Sequence, residues 1–246
     1  MSEIDNVILE TNKSFYKYNM TPDKWFYKSK QLVNDSNILY DFYEKHRLNI
    51  MNKLEVTGVF NREFVDYREF DNLIGSILLE NSEISFPNYR SFYLLYGFGI
   101  ENGLKGILIA QNSNLIDESK LHNKIKTHNL NKLAESTSIK LTKEEKICLK
   151  NLSDLIRGYG RYPVKSSFEV NDFDLGDDCF DEVCIKIIHN TYEEDKNIMD
   201  GIYKKIEICM ENAARDFERY MKSVFGDNIT FFGDDYLVSC GEIKSN

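Results

Sequence analysis

Proline is nearly absent, with 3 among 246 residues. A chain so poor in the residue that ends helices favours long, uninterrupted ones. Cysteine is scarce too. Cys148, Cys179, Cys184, Cys209 and Cys240 are odd in number and scattered, with no CxxC pair and no His beside a Cys at zinc-ligand spacing. That pattern argues against a disulfide framework and against a metal site, so neither metal nor cofactor is expected. The first twenty residues lack a basic segment followed by an apolar one, so reduced thiols and a cytoplasmic location are the expectation. Long apolar runs are missing as well. The longest, residues 92–100, is roughly half of what a bilayer needs, and Glu101, Asn102 and Lys105 interrupt it. No membrane partner is expected.

Nucleotide-loop and nucleophile signatures are also missing. Gly97-Phe98-Gly99 lacks the third glycine of GxGxxG and sits in an apolar helical pattern rather than after a strand; neither GxxxxGK[ST] nor GxSxG occurs. The acidic run 172–178 resembles a calcium loop only superficially, because its Gly comes one place early and Val183 stands where the closing Glu belongs. A net charge of -9 argues against wholesale wrapping of nucleic acid or anionic lipid.

What is present is aromatic volume, 15 Tyr and 16 Phe, in a pattern dominated by helical spacing. Thr21-Pro22-Asp23 makes a good helix start: a cap, a proline at the first position and an acid at the positive dipole end. Trp25, Phe26, Leu32, Val33, Leu39, Tyr40 and Tyr43 then mark one face of a helix running to about Arg47. Weak alternation around Gly58 suggests a short strand or loop at 54–60, and Phe64, Tyr67, Phe70, Ile74, Ile77 and Leu78 mark a second helix from about Arg62. The most apolar element, 89–111, carries Gly97, Gly99, Gly103 and Gly106. Each costs about 1 kcal/mol relative to Ala in a helix interior, so a close helix crossing is expected there, inside the fold or at a subunit interface. Thr142 and Glu145 form a capping box opening a helix that buries Ile147, Cys148, Leu152, Leu155 and Ile156 and ends near Gly158 and Gly160. Residues 164–178 are a polar, acidic connection. Helical spacing over 179–225 would span about 70 Å as one rod, so a break near 189–201 or a projecting end is expected. Residues 229–239 flank Gly233-Asp234-Asp235 as a small hairpin.

The sequence thus predicts one all-α domain over residues 1–225 with an insertion near residues 50–85, and a short appendage over 226–246 with a hairpin. Charge is unevenly placed. Residues 119–165 hold nine Lys and two Arg against four acids, a net +7, whereas 166–246 hold eight basic and nineteen acidic residues, a net -11. A local basic stripe of this kind can hold the phosphates of RNA or a nucleotide; the alternative is two solvated helix faces that satisfy each other. Three further features single out candidate site residues. Glu101 and Lys105, one turn apart in the favourable order, can form an exposed pair, or in so apolar a helix a structural pair that faces a partner helix's polar groups, or they can face a cleft. His128 can cap a helix or act as a general base. Arg157 and Arg161 can serve the carbonyls at a helix end or present guanidinium forks to phosphate, with Tyr159 or Tyr162 stacking on a base.

The order of these elements resembles the HEPN superfamily (higher eukaryotes and prokaryotes nucleotide-binding). A Trp-headed first helix (25–43) precedes an apolar helix ending Gly-Ile-Glu-Asn-Gly-Leu-Lys-Gly-Ile-Leu (99–108). Thr-His-Asn-Leu-Asn-Lys-Leu (127–133), a helix closing with Arg-Tyr-Pro (161–163) and a long final helix follow. The similarity covers roughly residues 22–225. It implies an up-and-down helical bundle that often dimerises, here with residues 50–85 as an insertion between its first two helices, acting either as a metal-independent ribonuclease with a catalytic Arg followed four to six residues later by His, or as a module that binds nucleotides, RNA or proteins. No Arg in this chain is followed by His at that spacing. The expectation is therefore a non-catalytic binding module, a homodimer with RNA, nucleotide or protein as partner, whose candidate ligand-binding residues are Glu101, Lys105, His128, Arg157, Arg161 and Tyr162. The alternative is a divergent ribonuclease using His128 with Arg157 and Arg161.

Overall fold

The computed structural model describes residues 20–56, 89–116, 120–159 and 191–225, with positions 58, 72 and 76. The expected second helix from Arg62, the acidic connection, Arg161, Tyr162, the first part of the final segment and the C-terminal hairpin lie outside the described residues. Five α-helices are described: α1 (Pro22–Val56), α2 (Tyr89–Gln111), α3 (Leu130–Glu135), α4 (Lys143–Tyr159) and α5 (Thr191–Phe225), with one 3-10 turn (Ser113–Leu115). Among the described residues there is no strand, only an isolated bridge between Ile116 and Leu121. The all-α expectation holds.

Helix α2 is apolar on every side and therefore central. Phe92, Tyr96, Ile100, Leu104 and Ile107 are sealed from solvent, and α1, α3, α4 and α5 all pack on it. Its glycines explain how so many neighbours fit. A Cβ on Gly99 would stand 2.5 Å from Val33 on α1, one on Gly103 2.6 Å from Ile206 on α5, and one on Gly106 2.5 Å from the Phe26 ring on α1; Gly97 faces Ile156 on α4. The four glycines thus serve close crossings with three different helices of the same chain, which accounts for the stripe without a subunit interface.

Contacts between helices fix their directions. Phe26 lies beside Gly106, Ser29 donates to the Gly99 carbonyl (2.7 Å), and Ser36 donates to the Phe92 carbonyl (2.8 Å), so α1 and α2 run antiparallel. Tyr93 meets Asp195, Tyr96 meets Asp200, and Gly103 meets Ile206, so α2 and α5 run parallel. Lys205 on α5 reaches Glu145 at the start of α4, while Cys148, further along α4, feels Asp195 near the start of α5; these two helices are antiparallel. The four long helices therefore alternate, up and down, in chain order.

Several boundaries differ from the sequence reading. Helix α1 does not stop near Arg47 but continues to Val56, so 54–56 of the expected strand or loop is helical; Ile50 and Leu54 stay buried, and Gly58 turns the chain at φ 67°. Helix α5 runs unbroken from Thr191 through Gly201 to Phe225, about 52 Å at 1.5 Å per residue, so no break falls within 191–201; residues 179–190, where the expected break could otherwise fall, lie outside the described residues. Ile147 is half exposed rather than buried, because the inward face of α4 is taken by Leu149, Leu152, Leu155 and Ile156. The capping box forms as read: the Thr142 amide donates to Glu145 Oε2 (2.7 Å) and the Glu145 amide donates to Thr142 Oγ1 (3.2 Å). Asp23 at the start of α1 is more buried than its dipole-facing position suggests, and burial pushes its carboxyl up to about 6, outweighing the backbone hydrogen bond that favours the anion. Cys148 and Cys209 are free and half-buried.

Candidate functional site

Glu101 points from the middle of α2 toward the segment that leads into α3. Lys105 Nζ donates to Glu101 Oε1 (2.6 Å), and His128 Nδ1 lies 2.9 Å from Glu101 Oε2, so one carboxylate bridges an ammonium and an imidazole. The i,i+4 spacing places the first pair; the 120–129 segment lying on α2 adds the second. Of the arrangements the spacing allows, the pair is the internal one and not the exposed one: Glu101 and Lys105 are each 5% exposed. The Lys105 ammonium also sits 5.9 Å from the centre of the Trp25 ring, which explains how the head of α1 tolerates a cation beside it. His128 keeps about a third of its side chain in solvent.

His128 is not a cap. The adjacent Asn129 is, its Oδ1 accepting from the Lys132 amide (3.0 Å) in the first turn of α3. The physical reason is reach: a short Asx side chain folds back onto the third amide, whereas the imidazole extends to Glu101.

Arg157 lies in the last turn of α4, more than half exposed, with its guanidinium on Asp154 one turn back and its Nε donating to the Ser153 carbonyl (3.3 Å). Both contacts stay within α4, and Ser153 precedes the last four residues, whose carbonyls are the free ones of the helix end. Ser153, a residue the sequence reading missed, joins α4 to the start of α3 two residues after His128, and the structure shows no contact between His128 and Arg157. The buried Ser153 hydroxyl donates to the Leu149 carbonyl (2.6 Å) and accepts from the Leu130 amide (2.9 Å), tying the start of α3 to α4. The available signal was a lone polar residue within the Leu149-Leu152-Leu155-Ile156 face. A polar seam between α1, α2 and α5 was missed for the same reason. Tyr96 donates to Asp200 (2.6 Å), Tyr93 donates to Asp195 (2.7 Å), and Lys196 joins Asp200 (2.5 Å) beneath the Tyr40 ring. Burial, with those carboxylates alongside, holds the Tyr93 and Tyr96 phenols far above their ordinary range, so both act as donors.

The basic stretch presents a surface. Lys120, Lys124, Lys126, Lys132, Lys140, Lys143, Lys146 and Lys150 are all exposed. Three of them, with Arg157, fall within about 60° of the circumference of α4 and span about 21 Å of its axis. Of the acids on this stretch, Glu145 is turned inward to Lys205 (2.7 Å) and Asp154 is paired with Arg157, leaving Glu135 and Glu144 at the surface. The acidic complement is not on α5, whose eight acidic and six basic residues nearly balance; most of it lies outside the described residues. Among the described residues, no group of three or more His, Cys, Asp or Glu is placed to hold a metal, and no helix is long and apolar enough to cross a membrane. Comparison of the chain with protein-family models, curated proteins and solved structures finds no match.

Proposed function

We propose that this chain is a HEPN-like, non-catalytic binding module that holds a linear polyanion, RNA in the first instance, on the outward face of α4. The observation that carries this reading is the run Lys143, Lys146, Lys150 and Arg157 along one helix face, with Ile147 exposed among them, Glu145 turned away to Lys205 and Asp154 offsetting only Arg157. Lysines spaced by one turn or less can follow consecutive phosphates, and an exposed apolar residue between them offers contact to sugar or base. Glu101 and Lys105 support the binding module from within, by fixing the 120–129 segment rather than by meeting ligand. A homodimer, implied by the resemblance, belongs to the same proposal and is read by light scattering of the purified chain.

The His128–Glu101 pair favours a second reading. A histidine held by a carboxylate is the arrangement of an oriented general base, and with Arg157 and Arg161 it is the divergent ribonuclease alternative. Incubating the protein with labelled RNA in EDTA separates the two. Retention of intact RNA supports the module. Cleavage abolished by His128→Ala and by Arg161→Ala overturns it in favour of the nuclease.

A further inference from the structure

The last turn of α2, the 3-10 turn, residues 123–124 and α3 enclose an open depression of about 470 Å3, within the size range of small-ligand pockets. Its floor is apolar, formed by Leu108 and Leu115, both nearly sealed from solvent. Gln111, Asn123, Lys124 and Lys132 stand at the rim, all exposed, and no acidic residue lines it. The backbones that carry the two lysines are pinned. The Lys124 amide donates to His122 Nδ1 (3.2 Å) and the Lys132 amide donates to Asn129 Oδ1 (3.0 Å). Two lysines therefore line one concavity from fixed backbone positions, neither with an acidic partner among the described residues.

We infer that this depression binds a small phosphate monoester, the dianion between Lys124 and Lys132 and the organic body on Leu108 and Leu115. The charge selects the class: a phosphate monoester carries close to two negative charges at neutral pH and so answers both lysines, whereas a carboxylate answers one. The mainly apolar lining selects an ester over the free ion, because inorganic phosphate offers that surface no apolar contact. The amides of Gln111 and Asn123 can meet polar edges of the body. A single cation near the end of α2 would be favoured by the helix dipole alone. That effect requires neither the second lysine nor the leucine floor. The site is distinct from the α4 face, and each stands or falls without the other.

The test is a titration of the full chain, labelled with 15N, by phenyl phosphate, with inorganic phosphate and benzyl alcohol as comparators. The expected result is saturable shifts of the Gln111, Asn123, Lys124 and Lys132 amides with phenyl phosphate. Binding should weaken about tenfold or more in Lys124→Met, in Lys132→Met and for either comparator, as loss of a charge-assisted contact or of the apolar contact requires. The Lys143→Ala/Lys146→Ala/Lys150→Ala variant should bind phenyl phosphate unchanged. Absence of saturable shifts, equal affinity for inorganic phosphate, or shifts confined to α4 would each overturn the proposal. Because both lysines are exposed, a native-like spectrum of the variants excludes misfolding as the cause.

Discussion

Replacing Glu101 by Leu removes the one carboxylate that holds Lys105 and His128 together. The Lys105 ammonium, 5% exposed, is then left in an apolar helix with only the Trp25 face beside it. Breaking a buried pair by deleting one partner costs about 3–5 kcal/mol, and the lost contact to the part-exposed His128 adds about 1 kcal/mol. Against a typical total stability of about 5–15 kcal/mol, the variant should retain a fold with a much lower midpoint. With a urea slope of about 3 kcal/mol/M, the midpoint should fall by roughly 1.3 M or more. Lys105→Met alone should cost a similar amount, since it strands the carboxylate with His128. The double variant Glu101→Leu/Lys105→Met should recover most of the loss, because two apolar side chains of matching length replace the pair and leave no buried charge. Equilibrium urea unfolding of the four proteins reads the coupling directly. If Glu101→Leu costs less than about 1 kcal/mol and the double variant equals the sum of the singles, the pair behaves as a solvated surface pair and the reasoning fails.

Three further predictions concern the scaffold. Gly99→Ala puts a methyl group 2.5 Å from Val33 and should lower the melting temperature, since overpacking of about 1–3 kcal/mol outweighs the helix-propensity gain. Gly201→Ala, whose nearest neighbour would be 3.9 Å away, should raise it by about 0.5–1 kcal/mol of stability; the opposite order of melting temperatures would refute the close-crossing account. Asp23, with a carboxyl raised from 3.8 to about 6, binds its proton more tightly in the folded chain. Its contribution is present below about 4 and declines as pH rises to about 6. Asp23→Asn should flatten that part of the stability–pH curve and raise stability at pH 7, and an unchanged slope would show that Asp23 is solvated. Glu145→Ala removes both the reciprocal cap and the anchor of Lys205, and should cost about 1–3 kcal/mol by chemical denaturation. A loss no greater than that of Lys205→Ala would mean the cap contributes nothing.

The features legible in the sequence were those decided locally. The Thr142–Glu145 box depends on four consecutive residues and appears as read. The glycine-rich face of α2 announced a close approach, but which helix meets each glycine depends on packing across the chain. The same limit explains the Glu101–Lys105 pair. Spacing placed the two side chains together, whereas their burial comes from the 120–129 segment and α1, which no local pattern encodes. His128 and Asn129 are neighbours, and only the position of Glu101 decides which of them caps α3. Helix α1 was cut short because Gly58 and its β-branched neighbours weaken the local helical signal, while tertiary burial of Ile50 and Leu54 carries the helix on. Ile147 was assigned to the core because apolar residues on α4 exceed the width of its inward face.

The most direct test of the α4 face is the salt dependence of its affinity for a single-stranded RNA, measured by fluorescence anisotropy in EDTA. Four phosphate contacts predict a slope of about -2.8 in log affinity against log salt, and Lys143→Ala/Lys146→Ala/Lys150→Ala should bring it to about -0.7 with correspondingly weaker binding. A wild-type slope near zero, or a slope that survives the triple substitution, would contradict the account.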